Sequence, residues 1–268
     1  MYAIEISFRY IICSMMTLKA LLFDVDGTLA DTERDGHRVA FNRAFAEAGM
    51  DWHWGESLYG KLLKVSGGKE RLRYYINKWK PELPPGIDPG ELIIALHRAK
   101  THHYLELMSA GLIPLRPGVE RLLREAKAQG VRLAIATTTT PENVTGLLGA
   151  TLGEQSVGWF DAIAAGDCVT QKKPAPDIYL HALDLLGLGA DECLALEDSD
   201  NGLKSSLGSG VKTVVTVNGY TATQDFTGAA IVLCQLGEPG SRFEVLAGDA
   251  GSASYVDLAF LRSLFAKR

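Results

Sequence analysis

Short apolar runs alternate with helical stretches along most of this chain, and no other feature constrains the fold as strongly. The apolar runs lie at residues 19–23, 134–137, 161–165, 192–197 and 211–217. The helical patterns lie at residues 118–128, 141–148, 175–186 and 202–207. Short apolar runs bounded by turn-forming residues are typical of buried strands. Strands that alternate with helices predict an α/β fold, with a Rossmann-like, doubly wound parallel sheet covered by helices on both faces.

One long segment interrupts this alternation between the first strand and the second. From about residue 33 to residue 110 the pattern is helical almost throughout, and breakers such as PELPPG at 81–86 divide it. We therefore predict a core domain at 18–32 and 112–268, with a helical cap domain inserted at 33–111. A cap that is hinged on a sheet domain serves reactions that must control the access of water.

The two ends of the chain are less informative. Residues 1–17 are apolar but carry Glu5 and Arg9, are too short to span a bilayer, and lack the pattern of a secretory signal. We interpret them as an N-terminal extension. Near the C-terminus we expect one more strand at 231–236 and a closing helix at 254–265, with a glycine-rich loop between them.

Composition narrows the class of protein. A formal net charge of -5 and a pI near 5.7 argue against a nucleic-acid-binding protein, which usually presents a basic face. The cysteines lie far apart and lack metal-ligand spacing, so we expect reduced thiols at Cys13, Cys168, Cys193 and Cys234. We expect a cytoplasmic, monomeric protein that binds neither nucleic acid nor membrane.

Polar and charged side chains follow the predicted strands at the point where each strand ends. They are Asp24 and Asp26, the threonines at 137–140, Lys173, and the pair Glu197 and Asp198. Because the carboxyl ends of parallel strands meet at one edge of a sheet, we expect these side chains to lie together. Four neighbouring carboxylates are costly unless a divalent cation neutralises them, and hard oxygen ligands suit Mg²⁺. An acidic metal site with a lysine and hydroxyl groups indicates phosphoryl transfer.

Four motifs in this order resemble those of the haloacid dehalogenase superfamily of phosphotransferases. They are DVDGT at 24–28, the apolar strand that ends at Thr137, Lys173 before PAPD, and LEDSDNG at 196–202. The resemblance implies that Asp24 is a nucleophile that forms an aspartyl-phosphate, and that Asp26 is the general acid and base. It further implies that Thr137 and the amide of Thr138 bind phosphoryl oxygens, while Lys173 neutralises charge.

The same resemblance implies a magnesium site. Its ligands would be the Asp24 carboxylate, the backbone carbonyl of Asp26 and Asp198, with Glu197 binding directly or supporting another ligand. Magnesium is the cofactor that we expect. Asp26 would have to start neutral while Asp24 starts ionised, because one gives a proton and the other attacks.

A narrower resemblance covers the cap and part of the core. The stretches LADTERDGHRVAFN at 29–42, LYGKLLKVSGGKERL at 58–72 and GDCVTQKKPAPDIY at 166–179 are similar to those of CbbY-type sugar-bisphosphate phosphatases. The GYT at 219–221 also fits. This resemblance implies a small-molecule sugar phosphate as the partner. It implies removal of the 1-phosphate of xylulose-1,5-bisphosphate as the reaction.

The cap residues are compatible with such a ligand. We expect the backbone of Gly68, together with Lys69, Arg71 and Arg116, to bind a second phosphate far from the metal, because a helix start with free amides attracts anions. Glu33, His37 and Tyr59 are expected to meet sugar hydroxyls. Arg73 either joins this group or lies on a solvated face, and His97, His102 and His103 are interpreted as structural.

Alternative functions stay open at this point. β-Phosphoglucomutase is similar in all four motifs and also uses a helical cap, so phosphate transfer between two sugar positions is an alternative to hydrolysis. Another small sugar phosphate could be the substrate. A non-catalytic protein that binds sugar phosphates would not need Asp26, Lys173 and Asp198 together.

Overall fold

The computed structural model describes residues 17–267. The predicted N-terminal extension lies outside the described residues except for Thr17, and Cys13 also lies outside them. Within residues 17–267, no helix is both long and apolar enough to cross a membrane.

A seven-stranded sheet forms the core. Its strands are β1 (Ala20–Phe23), β2 (Arg132–Thr137), β3 (Ala162–Ala165), β4 (Cys193–Glu197), β5 (Lys212–Thr216), β6 (Ile231–Leu233) and β7 (Val245–Ala247). Across the sheet the order is β3-β2-β1-β4-β5-β6-β7. All neighbouring strands are parallel except β6 and β7. The predicted doubly wound α/β sheet is confirmed, with β1 inside it between β2 and β4.

Helices surround this sheet and fill the long segment after β1. A π-helical turn (Glu33–His37) runs into α1 (Arg38–Glu47). It is followed by α2 (Glu56–Leu62), α3 (Gly68–Trp79), α4 (Pro89–Ser109), α5 (Val119–Ala128), α6 (Pro141–Leu152), α7 (Asp177–Leu186), α8 (Asp200–Gly208) and α9 (Leu258–Ala266). Local sequence explains several helix starts. Asp88 and Thr140 cap α4 and α6 with their side chains, and a proline follows each of them.

Alternate residues of β1 pack on opposite faces of the sheet. Leu21 and Phe23 belong to a core shared with α5, α6 and α9, whereas Ala20 and Leu22 belong to a second core shared with α7. All four side chains are fully buried. This burial on both faces explains why β1 is a continuous apolar run with no polar alternation.

The helical segment from Glu33 to Ser109 has an aromatic core of its own. Phe41, Phe45, Trp52, Trp54 and Tyr75 pack against one another with ring centroids 4.7 to 6.0 Å apart. We keep the name cap for residues 33–111. The two linkers of the cap meet, because Ala30 pairs with Leu115 in an isolated antiparallel bridge.

The C-terminal part differs from the sequence expectation. The strand expected at 231–236 is shorter, and the helix expected from residue 254 begins at Leu258. The expected loop also contains β7, which pairs with β6 at the edge of the sheet. Three exposed residues without an alternating pattern give no periodic signal, which explains why β7 was not predicted.

Candidate active site

The carboxyl ends of β1 and β4 bring three carboxylates and one lysine into contact. Asp24 follows β1, Glu197 ends β4, and Asp198 is the next residue. The ammonium of Lys173 lies 2.7 Å from Oδ1 of Asp24 and 2.6 Å from Oε1 of Glu197. All four side chains are buried. Tyr179 on α7 also donates a 2.6 Å hydrogen bond to Oε1 of Glu197, and this fixes the carboxylate.

Burial and mutual repulsion control the ionisation of these carboxylates. Burial raises the pKa of Asp24 to about 7 although Lys173 opposes the shift, and Glu197 and Asp26 raise it further. Burial also raises the pKa of Asp198 well above its usual range, with added repulsion from Asp24 and Glu197. Burial alone would lower the pKa of Lys173, but contact with two carboxylates holds it above its usual value. The site therefore holds more carboxyl groups than Lys173 alone can neutralise, and without a further cation some of them keep a proton.

These residues fit a divalent cation. Asp24, Glu197 and Asp198 each offer a carboxylate oxygen, and these oxygens lie within 4.8 Å of one another. Asn218 holds Oδ2 of Asp198 at 2.7 Å. Carboxylate oxygens with excess negative charge are what Mg²⁺ requires of a protein site. The Asp26 carboxylate is not part of this group. Metal binding by the Asp26 backbone carbonyl stays a prediction.

A glycine directly after Asp26 permits the close approach of Asp198. Gly27 has a φ of 91°, and a Cβ atom there would lie 2.3 Å from Oδ2 of Asp198. Any side chain would therefore strain the turn and displace the carboxylate. The DVDGT motif thus combines a charged pair with a turn that only glycine accommodates.

Asp26 lies beside the metal-binding carboxylates but has partners in the linker and the cap. Its Oδ1 lies 2.6 Å from the hydroxyl of Thr32 and 2.8 Å from Nε2 of His37. Burial alone would raise the pKa of Asp26, but His37 and Thr32 outweigh this effect and hold it below the usual range. These contacts therefore favour an ionised Asp26, the reverse of the order that proton donation needs.

Two lobes of one cavity meet above these aspartates, and both are lined by Asp26, Glu33, Arg71 and Thr138. The core-side lobe adds the chemistry-bearing residues Asp24, Thr137, Lys173 and Asp198. The cap-side lobe adds His37, Gly67, Gly68, His97, Lys100 and Asn143. The structure thus brings most of the predicted site residues to one cavity.

Glu33, Tyr59 and Arg71 form a buried network at the cap side of the cavity. Arg71 donates to the Tyr59 hydroxyl at 2.7 Å and to Glu33 at 3.4 Å, while Tyr59 donates to Glu33. Tyr59 is fully buried, and its ring lies under the guanidinium. Glu33 and Arg71 line the cavity. Tyr59 lines neither lobe and holds these two side chains through its hydroxyl, so the structure does not place it where it would meet sugar hydroxyls.

Lys100 is a site residue that sequence reasoning missed. It is 4% exposed, packs over the rings of Phe41 and Tyr104, and forms no ion pair within residues 17–267. Burial lowers its pKa to about 8. Its position in α4, four residues after Leu96 and four before Tyr104, was the available signal, since a lysine within a buried apolar stripe is unusual.

His97 and Asn143 were also missed. The ring of His97 faces the start of α3, where a Cβ on Gly68 would come within 2.8 Å of it. Burial lowers the pKa of His97 to about 4. Asn143 donates to Thr139 at 2.8 Å, and its own Oδ1 is buried without a partner in the part of the chain that the structure describes. The sequence predicts a structural role for His97, whereas the residue lines the cap-side lobe of the cavity.

The structure contradicts the expected role of Arg116. Its guanidinium donates to the backbone carbonyls of four residues, namely Gly27, Thr216, Val217 and Cys234. Its Nε lies 3.4 Å from Asp31. Because these carbonyls occupy its donors, Arg116 ties the loop after β1 to the ends of β5 and β6 and lines neither lobe of the cavity.

Lys69 also lies elsewhere than expected. Its ammonium contacts Oδ2 of Asp167 at 2.5 Å, in the loop after β3, and it lines neither lobe. The same carboxylate accepts a 2.8 Å hydrogen bond from Lys172. In this structure Lys69 therefore bridges the cap to the core.

Comparisons with known proteins agree with this geometry. A family model described as haloacid dehalogenase-like hydrolase matches residues 18–210. The plasmid CbbY protein of Cupriavidus necator is 50% identical over 246 residues, which cover 92% of this chain and 96% of that protein.

Solved structures give the same result. CbbY from Rhodobacter sphaeroides, determined with phosphate and, as a mutant, with xylulose-1,5-bisphosphate, is 45% identical with a TM-score of 0.77, covering 82% of this chain and 95% of that one. A β-phosphoglucomutase from Clostridium difficile has a TM-score of 0.65 at 21% identity, covers 81% of this chain and 90% of that chain, and shares the fold. This chain belongs to the haloacid dehalogenase-like hydrolases and is a CbbY-type phosphatase.

Proposed function

We propose that this protein is a magnesium-dependent phosphatase that removes the 1-phosphate of xylulose-1,5-bisphosphate through an aspartyl-phosphate on Asp24. One observation carries the proposal. A buried aspartate after β1 contacts a buried lysine, in a chain 45% identical to a CbbY whose mutant was crystallised with this bisphosphate. The cavity continues from these residues into a second lobe under the cap, which is lined by cationic side chains that suit a second charged group.

In the first step Asp24 attacks the phosphorus of the 1-phosphate. A bond forms between phosphorus and an Asp24 oxygen, the bond to the C1 oxygen breaks, and Asp26 gives that oxygen a proton. Lys173 holds Asp24 in place and offsets charge on the phosphoryl group. Magnesium held by Asp24, Asp198 and Glu197 would supply further positive charge for the ionised nucleophile and the phosphate.

In the second step a water molecule attacks the phosphorus of the aspartyl-phosphate. Asp26 accepts the proton from this water, the bond to Asp24 breaks, and inorganic phosphate leaves. The hydrogen bond between His37 and Oδ1 of Asp26 orients the carboxyl group. An incoming phosphate dianion repels the charge on Asp26, and this favours the protonated form that the first step needs.

The cap-side lobe suits the phosphate that stays on the sugar. Lys100 brings a buried ammonium without an ion-pair partner in the described residues, and Arg71 adds a guanidinium. Gly67 and Gly68 place the start of the twelve-residue helix α3 at the same lobe, where free backbone amides favour an anion. These groups support a bisphosphate over a monophosphate substrate.

Phosphate release from a set of sugar phosphates tests the proposal. The purified protein is incubated with Mg²⁺ and xylulose-1,5-bisphosphate, β-glucose-1-phosphate or other small sugar monophosphates, and inorganic phosphate and sugar products are measured. We expect fastest release from xylulose-1,5-bisphosphate. Formation of glucose-6-phosphate from β-glucose-1-phosphate would contradict the proposal and indicate a mutase. Faster phosphate release from another sugar phosphate would contradict the proposed substrate.

A further inference from the structure

Polar contacts hold the cap against the core near the mouth of the cavity. Lys69 at the start of α3 contacts Asp167 in the loop after β3, and Asn201 at the start of α8 donates to the carbonyl of Lys64 at 3.3 Å. Tyr220 of the core packs edge-on against the ring of Tyr59 with centroids 6.0 Å apart. Of these contacts, the one at Asp167 joins two opposite charges.

Asp167 receives lysines from both parts of the protein. Its Oδ2 contacts Lys69 of the cap, and its Oδ1 accepts from Lys172 of the core at 2.8 Å. Lys172 also donates to the carbonyl of Gly166, which closes the loop on itself. The hydrogen bonds from Lys172 and Lys69 hold the pKa of Asp167 at about 2, so the carboxylate is ionised at neutral pH.

The loop that Asp167 organises also carries a residue of the catalytic site. Lys172 precedes Lys173, whose ammonium contacts Asp24. Lys69 of the cap is therefore linked through Asp167 to Lys172, the residue next to the active-site lysine. We propose that Asp167 is a latch and a positioning residue, which holds α3 of the cap over the cavity and against the loop that carries Lys173.

This proposal gives Lys69 a role different from phosphate binding. If Lys69 binds the substrate, Asp167 competes for it, and removal of the Asp167 charge should lower KM. If the pair is a latch, loss of either partner has the same effect and loss of both adds nothing. The kinetic test of the latch uses xylulose-1,5-bisphosphate and so rests on the proposed function. The measurement of the cap position needs no substrate and does not.

A double-mutant cycle separates the two roles. We expect Asp167→Asn, Lys69→Met and the double variant each to raise KM for xylulose-1,5-bisphosphate by about two- to fivefold, the range for a partly exposed ion pair. Turnover of a small aryl phosphate, which does not fill the cap-side lobe, should stay unchanged. A lower KM for Asp167→Asn, or effects that multiply in the double variant, would overturn the latch. Arg73→Met, at an exposed position on α3, and Asp184→Asn, at an exposed position on α7, are matched controls.

The cap position can be measured without substrate. Spin labels are attached through Ile94→Cys on α4 and Leu180→Cys on α7, both exposed positions, after Cys13, Cys168 and Cys234 are replaced by serine. Cys193 stays because burial raises the pKa of its thiol to about 12 and keeps it unreactive. We expect pulsed electron–electron double resonance to give a longer or broader distance between the two spin labels for Asp167→Asn than for Asp184→Asn. An unchanged distance would contradict the latch, even if the bisphosphate is not the substrate.

Discussion

The ammonium of Lys173 lies 2.7 Å from Oδ1 of Asp24, with both side chains more than nine-tenths buried. Glu197 shares the same ammonium, and Asp198 adds a third carboxylate within 4.8 Å. One lysine therefore contacts a group of carboxylates that would otherwise repel one another. Folding alone leaves this group short of positive charge, and the proposed magnesium ion would supply it.

Asp24→Asn is expected to stabilise the metal-free protein increasingly as pH rises. Asp24 keeps a proton up to about pH 7 in the folded state but loses it near 3.8 when unfolded, so its contribution to stability declines as pH rises through this window. Asparagine has no such decline. The difference in unfolding free energy between variant and wild type should grow, on the order of a few kcal/mol, from pH 4.5 to pH 7.5.

Thermal unfolding with a chelator present measures this difference. The lowered pKa of His97 changes stability in the opposite direction over part of the same range, but it does so in both proteins and cancels in the comparison. A difference that stays constant with pH would show that Asp24 is ionised throughout in the folded protein. Asp184→Asn, at an exposed position, is the control.

Lys100→Met should stabilise the protein and impair it as an enzyme. Methionine fills a similar volume without the cost of burying an ammonium that has no ion-pair partner within residues 17–267, so the unfolding free energy should rise by about 1 kcal/mol. The cap-side lobe loses the Lys100 ammonium and keeps the Arg71 guanidinium, so KM for the bisphosphate should rise about tenfold. Chemical denaturation and steady-state kinetics measure the two effects.

The charge of Lys100 also predicts a pH dependence. Because its pKa is lowered to about 8, wild-type kcat/KM for the bisphosphate should decline above that pH. Lys100→Arg keeps its charge and should not show this decline. Loss of stability in Lys100→Met with unchanged KM would mean that the residue is purely structural.

Arg116→Met should destabilise the fold without changing substrate affinity. The substitution leaves buried carbonyls of Gly27, Thr216, Val217 and Cys234 without their donor, which should cost about 3 kcal/mol or more. Urea denaturation measures the loss, and KM for the bisphosphate, measured well below the melting temperature, should stay within about twofold. A large rise in KM with little loss of stability would restore Arg116 to the substrate site.

The fold and the core side of the site were predictable because strand ends in a parallel sheet converge. Asp24, Lys173 and Asp198 are far apart in sequence, yet each follows or precedes a recognisable element, so topology alone places them together. The cap side was less predictable. Lys100 lies in the middle of a long helix, and only the packing of α4 turns it into the cavity.

Charged residues near the site were the least predictable. Arg116 and Lys69 have the right charge and the right place in the sequence for a phosphate, but carbonyls and a carboxylate occupy them instead. Asp26 shows the same limit. The resemblance implies a general acid and base at Asp26, whereas the structure shows its carboxylate in contact with Thr32 and His37. Sequence spacing gives position along the chain, and side-chain partners depend on the tertiary structure.

Phosphorus NMR during turnover of xylulose-1,5-bisphosphate with Mg²⁺ tests the central claim most directly, because it distinguishes the two phosphates. We expect the C1 phosphate signal to disappear, inorganic phosphate to appear in equal amount, and the C5 phosphate to remain. Asp24→Asn, or addition of a chelator, should leave both signals in place, with turnover reduced at least about 10⁴-fold in the variant. Loss of the C5 phosphate, or turnover by Asp24→Asn at the wild-type rate, would contradict the account.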